Sequence, residues 1–210
     1  MSVAVVIPAY NEEKTIASVL EAVQRTPEVA ELIVVDDGSE DRTAQVAEGL
    51  GARVVRLGAN RGKGAAMRVG AEVAREPVVV FLDADLVGLR PVHIRALAAP
   101  LLEGRAEMAV GVFAEGRMAT DLAQRMVPHL SGQRAMRRED VLQVSGLERA
   151  RYGAEVAFSR YARWARLRVE LVPLPGLSQV MKEEKRGFCL GLAARLLMYW
   201  EILRRVVSKG

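Results

Sequence analysis

Val78-Val79-Val80-Phe81-Leu82-Asp83-Ala84-Asp85 is an apolar run that ends abruptly in two carboxylates. Five β-branched, aromatic or aliphatic residues without a polar break read as a buried strand, and the change of character at Asp83 marks where the chain leaves the core. Three earlier runs, Val3–Ile7, Leu32–Val35 and Val54–Leu57, have the same composition. Helical spacing separates them. Ile16, Val19, Leu20 and Val23 fall at i, i+3, i+4 and i+7, and Ile94, Leu97, Ala98 and Leu101 repeat the pattern after the fourth run. This alternation predicts an α/β fold, a single mostly parallel sheet flanked by helices, with right-handed crossovers and ligands gathered at the carboxyl ends of the strands.

The 210 residues, half of them hydrophobic, suffice for one sizeable core, and one domain spanning 1–210 is expected. The pattern loosens after residue 104. Met108–Phe113 and Val169–Pro173 read as further strands, the second closed by Pro173-Leu174-Pro175-Gly176, whereas Thr120–Arg138 has no clear period. Lys and Arg outnumber Asp and Glu by 30 to 26, which suits an anionic ligand or a membrane surface better than extended nucleic-acid binding. Cys189, the one cysteine, sits in an apolar stretch and reads as core. The N-terminal run reads as a strand and not an export signal, and Phe188–Val207 is too interrupted by Arg195, Glu201, Arg204 and Arg205 to span a bilayer. A cytoplasmic location is expected, with the inner face of the membrane as its second form.

In an extended chain residues i and i+2 face the same way, so Asp83 and Asp85 can address one ligand. Paired hard oxygen donors suit Mg²⁺ or Mn²⁺ held jointly with a diphosphate. Asp36-Asp37-Gly38-Ser39 follows the second run in the same way, with a carboxylate for ribose hydroxyls or a base N–H and Ser39 or Asp41 to cap the next helix. Gly58-Ala59-Asn60-Arg61-Gly62-Lys63-Gly64 is a cationic glycine-rich loop able to cradle phosphate. Its spacing fits neither a Walker loop nor the dinucleotide fingerprint. Arg134, Arg137 and Arg138 beside Ser131-Gly132 read either as an acceptor-binding anion grip on a flexible loop or as a basic surface balanced by Glu139 and Asp140. His93 and His129 are far apart without cysteine partners, which disfavours zinc, and no nucleophile elbow is present.

Ile7-Pro8-Ala9-Tyr10-Asn11-Glu12-Glu13, Val34–Ser39, Asn60-Arg61-Gly62-Lys63-Gly64 and Phe81–Asp85, in this order and spacing, resemble the family 2 glycosyltransferases. The resemblance implies the glycosyltransferase A fold and a nucleoside-diphosphate sugar donor. It assigns donor contacts to Pro8, Ala9, Tyr10, Glu12, Asp36, Asp37, Lys63 and the Asp83-Ala84 pair, and metal contacts to Asp83 and Asp85. Ser131-Gly132-Gln133-Arg134, Tyr152-Gly153-Ala154-Glu155 and the strand ending at Pro173 are similar to the dolichyl-phosphate mannose synthase-like and glucosyl-3-phosphoglycerate synthase-like branches, whose acceptors are phosphorylated. Where some relatives place a metal-binding histidine after that strand, this chain has Ser178 and Gln179, so Gln179 is the candidate third protein ligand.

The expected activity is therefore metal-assisted hexosyl transfer from a nucleoside-diphosphate sugar to an acceptor, with a phosphorylated or lipid-phosphate acceptor as the candidate class. Residues 1–104 form the nucleotide-sugar-binding half and residues 105–210 the acceptor side. Asp85 is the expected catalytic metal ligand. Glu155 reads either as an acceptor-side base or as a structural carboxylate. Nucleotidyl transfer and a non-catalytic sugar-nucleotide-binding module are the competing readings. Leu192, Leu196, Tyr199, Leu203 and Val206 fall on one side of a C-terminal amphipathic helix, whose expected uses are core packing, a homodimer contact or peripheral membrane contact.

Overall fold

The computed structural model describes residues 2–113, 131–150 and 153–179. Four strands and three helices alternate through the first half: β1 (Val3–Ala9), α1 (Ile16–Gln24), β2 (Val29–Asp36), α2 (Thr43–Gly49), β3 (Arg53–Arg56), α3 (Lys63–Val73) and β4 (Val78–Phe81). Then come β5 (Leu86–Val87), α4 (Pro91–Leu102), β6 (Met108–Phe113), β7 (Arg134–Arg137) and α5 (Arg138–Gln143). A short 3₁₀ turn (Leu147–Arg149), α6 (Ala154–Trp164), β8 (Val169–Leu174) and β9 (Ser178–Gln179) complete the described order. The proposed C-terminal helix, Cys189, His129 and Tyr152 lie outside the described residues.

The main sheet runs β3-β2-β1-β4-β7-β6-β8. β1 pairs in parallel with β2 and β4, β2 with β3, and β6 with β8, while β7 is antiparallel to both β4 and β6. All six strands named from the sequence are present. β7 is the correction: the segment read as a flexible arginine loop is a central strand, Phe81 pairing with Arg134 and Val78 with Arg137. Its sequence, Arg-Ala-Met-Arg, has too little apolar character to announce itself, because one of its buried side chains is an arginine.

Alternation along β1 divides the core. Val3, Val5 and Ile7 face Ile16, Leu20, Ile94 and Leu97 on one side of the sheet, whereas Ala4 and Val6 face Met67, Ala71 and Phe81 on the other. Burial of each such aliphatic side chain stabilises by about 1.5 to 3 kcal/mol. Helix α3 approaches β1 closely at Gly70, where an added Cβ would come within 2.2 Å of Val6 Cγ1. Replacement Gly70→Ala should therefore destabilise by about 1 to 2 kcal/mol net, overpacking outweighing the helix-propensity gain. Urea unfolding at unchanged slope measures it; a stabilised variant would show that the two elements separate freely.

Candidate active site

Because β1, β2 and β4 run the same way, their carboxyl ends deliver Ala9-Tyr10, Asp36-Asp37 and Asp83-Ala84-Asp85 to one edge of the sheet, Ala9 standing in register with Asp36. The loops there are tied to one another. Ser39 Oγ accepts from Asn11 N–H at 2.9 Å, Thr43 Oγ1 from Glu12 N–H at 2.7 Å, and Asp41 Oδ2 from Glu13 N–H at 3.1 Å. Asp41 Oδ1 also accepts from Thr43 N–H at 2.9 Å, from one residue before the N-cap position, which Arg42 occupies without a side-chain cap bond. Pro8 and Tyr10 are half-buried, Ala9 is buried, and Glu12 Oε2 accepts from the Thr15 hydroxyl at 2.9 Å.

The two aspartates after β2 differ in role. Asp36 Oδ1 accepts from Ser39 N–H at 3.1 Å within its own turn. Asp37 accepts from Arg61 N–H and Gly62 N–H, both at 2.8 Å, one with each carboxylate oxygen. Asp37 thus builds the site by hanging the glycine-rich loop from β2, and its oxygens are already committed to backbone donors. That loop enters α3 at Lys63, directly after Gly62.

Lys63 is the centre of the charge arrangement. Its Nζ lies 2.6 Å from Asp83 Oδ1 and 2.8 Å from Glu155 Oε1, although these residues come from α3, the end of β4 and the start of α6. Burial acts to lower the Lys63 pKa, but Asp83 and then Glu155 outweigh it and raise it above the ordinary lysine value, so the ammonium stays charged. Burial acts to raise the Asp83 pKa, and Lys63, Gln133 and Gln179 together hold the carboxyl below its ordinary value. Gln133 Nε2 donates to Asp83 Oδ2 at 2.8 Å, and Gln179 Nε2 donates to the same oxygen. Gly132 leaves room for this convergence, since an added Cβ would stand 2.4 Å from Asp83 Oδ2 and 2.5 Å from Lys63 Nζ.

Gln133 and Gly132 are the contributors that reasoning from the sequence missed. Both stand in the Ser131-Gly132-Gln133-Arg134 motif, the one signal the sequence carried, and the structure shows Gln133 fully buried with Asp83 as its hydrogen-bond partner.

The three arginines do not converge. Arg134 is fully buried, its Nη2 donates to Ser131 O at 2.5 Å, and its guanidinium lies 4.8 Å from the Phe158 ring centroid. Burial pushes its pKa down to about 10, against the opposing pull of Glu155 and Asp83. Among the described residues its Nε and Nη1 have no hydrogen-bond partner. Arg137 is exposed, 4.0 Å from Glu139, and Arg138 donates to Ala71 O and Glu72 O at the end of α3. An odd spacing along a strand sends Arg134 and Arg137 to opposite faces, so a joint grip on one anion is ruled out. Replacing Arg134 with Met should lower stability by about 2 kcal/mol, through loss of a charge-assisted hydrogen bond and the aromatic contact, partly offset by removing a buried charge. Chemical denaturation decides it; wild-type stability would mean that the guanidinium is not held as described.

No cluster of three His, Cys, Asp or Glu side chains occurs among the described residues. The groups that meet here are the Asp83 carboxylate and the Gln179 side-chain amide, with Asp85 two residues farther along the chain. An oxygen-only set with few protein ligands fits Mg²⁺ or Mn²⁺, which keep positions for phosphate oxygens and water, and does not suit zinc. The Asp83 carboxylate is engaged by Lys63 and two glutamines. Asp85 follows two residues on and is half-buried.

The family model described as Glycosyl transferase family 2 matches residues 4–164. The glucosyl-3-phosphoglycerate synthase of Mycolicibacterium paratuberculosis is 38% identical over 112 residues, 49% of this chain and 34% of that protein. The dolichyl-phosphate beta-glucosyltransferase of Drosophila melanogaster is 40% identical over 101 residues, 40% of this chain and 31% of that protein. The aligned part is therefore about a third of the length of these curated relatives. The crystal structure of Mycobacterium tuberculosis glucosyl-3-phosphoglycerate synthase in complex with Mn²⁺, UDP and phosphoglyceric acid superposes with a TM-score of 0.77 at 26% identity, covering 99% of this chain and 78% of that one. A matched segment that contains the strand ends, the glycine-rich loop, Lys63, Asp83 and Glu155 leaves no other assignment for this arrangement: the chain belongs to glycosyl transferase family 2.

Proposed function

We propose that the chain transfers a hexosyl group from a nucleoside-diphosphate sugar to a phosphorylated acceptor, with UDP-glucose as the first donor to try. The observation that carries this reading is the clamp of Lys63 between Asp83 and Glu155 at the carboxyl edge of the sheet. It supplies one fixed cation where a diphosphate would depart, beside the carboxylates that a divalent cation needs. The relatives support the substrate classes, since one structure holds UDP, Mn²⁺ and phosphoglyceric acid and one curated relative acts on dolichyl phosphate by name.

In the reaction, the bond from the anomeric carbon to the β-phosphate oxygen breaks and a bond to the acceptor oxygen forms. Pro8, Ala9, Tyr10, Glu12 and Asp36 line the nucleoside side. Lys63, held between Asp83 and Glu155, has a third ammonium N–H to offer the leaving diphosphate, and Asp85, with Asp83 and Gln179, would hold the Mg²⁺ or Mn²⁺, whose chemistry is to offset the negative charge that builds there. Of the three arginines, Arg134 alone is near Glu155 and Asp83, fully buried against Phe158, and it lends its positive charge to the acceptor side, while Arg137 and Arg138 are taken up elsewhere. A phosphate oxygen attacks as an anion and needs no base; a hydroxyl acceptor would pass its proton to Glu155.

Incubation with UDP-, GDP- and ADP-sugars, with and without Mn²⁺, and with phosphoglycerate or polyprenyl phosphate as acceptor, tests the reading by product. Release of nucleoside diphosphate together with a glycosylated acceptor is expected. Pyrophosphate release would mark nucleotidyl transfer, and binding without product a non-catalytic module. No helix among the described residues is long and apolar enough to cross a membrane. We place the protein in the cytoplasm, with any membrane contact peripheral; co-flotation with anionic liposomes is the check on that contact.

A further inference from the structure

β5 and β9 are two-residue strands, Leu86 pairing with Gln179 and Val87 with Ser178, yet this pair places Gln179 beside Asp83. Two residues per strand are too few to hold themselves in water. The stabilisation comes from the loop Pro175-Gly176-Leu177 that leads into β9. Leu177 is buried, and Gly176 O approaches Gly88 so closely that a Cβ there would lie 2.5 Å away.

The third tie is His93, on the first turn of α4 and 3% exposed. Its Nδ1 faces the backbone N–H of Arg90 at 3.2 Å, and a backbone N–H can only donate, so Nδ1 carries no proton. Burial and then the Arg90 guanidinium keep the ring neutral. The single ring proton therefore resides on Nε2, which donates to Pro175 O at 3.1 Å. Arg90 Nη2 reaches the same carbonyl at 3.4 Å and stands 3.3 Å from His93 Nε2, a contact between two donors that is not itself a hydrogen bond.

From this chain of contacts we infer that His93 is a positioning residue of the active site: by fixing the Pro175 carbonyl it holds β9 against β5 and so keeps Gln179 on Asp83. It touches none of the reacting groups itself. Any effect on turnover rests on the proposed transferase reading, whereas the effect on the loop does not.

Hydrogen–deuterium exchange of the ligand-free protein tests the structural half. In His93→Ala, exchange at Leu177, Ser178 and Gln179 should quicken about tenfold, the consequence of one lost buried hydrogen bond, while β1 and β4 stay protected. His93→Gln, whose amide N–H₂ can donate to Pro175 O, should restore protection. Unchanged exchange in His93→Ala, or His93→Gln as unprotected as His93→Ala, overturns the inference. Should neither variant fold, ¹⁵N NMR of the wild-type ring decides it, the Nε2–H tautomer being required and the Nδ1–H tautomer excluding it. For turnover, His93→Ala/Gln179→Ala should be no slower than the slower single variant, because both remove one tie. Additive losses would show that His93 acts by another route. Absence of turnover in the wild type would strike the transferase reading and leave the exchange result standing.

Discussion

Asp85→Asn should turn over donor about a hundredfold more slowly than the wild type while melting at nearly the same temperature. Asp85 stands beyond the end of β4, only half-buried, so removing its charge changes little of the core. What is lost, on the proposed reading, is a hard anionic oxygen two residues beyond Asp83, whose own carboxylate is engaged by Lys63, Gln133 and Gln179. Amide for carboxylate keeps the shape and removes the charge, so the effect should fall on kcat and on the Mn²⁺ requirement and not on folding. Chelation should abolish wild-type turnover, and Mn²⁺ or Mg²⁺ should restore it. The measurement is nucleoside diphosphate release, paired with calorimetric donor binding and thermal unfolding. Wild-type rates from the variant, or full wild-type activity after rigorous metal removal, would exclude Asp83-Ala84-Asp85 as the metal site.

A comparable loss is expected from a single methyl group. In Gly132→Ala the new Cβ would stand 2.4 Å from Asp83 Oδ2 and 2.5 Å from Lys63 Nζ, distances no carbon can keep. The lysine is a flexible chain and moves away; the aspartate, pinned by Gln133, moves less freely. The clamp opens and the fold remains. A shift near 1 Å in the groups that position a substrate costs about a hundredfold in rate, so Gly132→Ala should cut kcat/KM by about that factor while destabilising by only about 1 to 2 kcal/mol. A steady-state assay beside urea unfolding separates the two effects. Undiminished kcat/KM would mean that the Lys63–Asp83 pair is not part of the working site, whereas collapse of the fold would mean that Gly132 serves packing before chemistry.

The parallel half of the fold was legible because its code is local. Apolar runs of strand length end in Ala9-Tyr10, Asp36-Asp37 and Asp83-Ala84-Asp85, helical spacing lies between them, and a parallel sheet brings such ends to one edge. The same sequence could not show that Asp37 spends both oxygens on Arg61 and Gly62, since that contact joins loops after different strands. Nor could it show that Arg134 lies inside a central strand. Clustered arginines read as an anion grip on a flexible loop or as basic surface because a charge is rarely buried, and only the packing of Phe158 and the nearby Asp83 and Glu155 places Arg134 inside. By itself the sequence determined the order of strands and helices through β4, the carboxylates at the strand ends and the cation at the start of α3. Tertiary structure alone decided which of these groups meet. Lys63 and Glu155, 92 residues apart, and Gln179 and Asp83, 96 apart, are joined by hydrogen bonds that reach only about 3 Å, and chain spacing carries no information at that range until the sheet has closed.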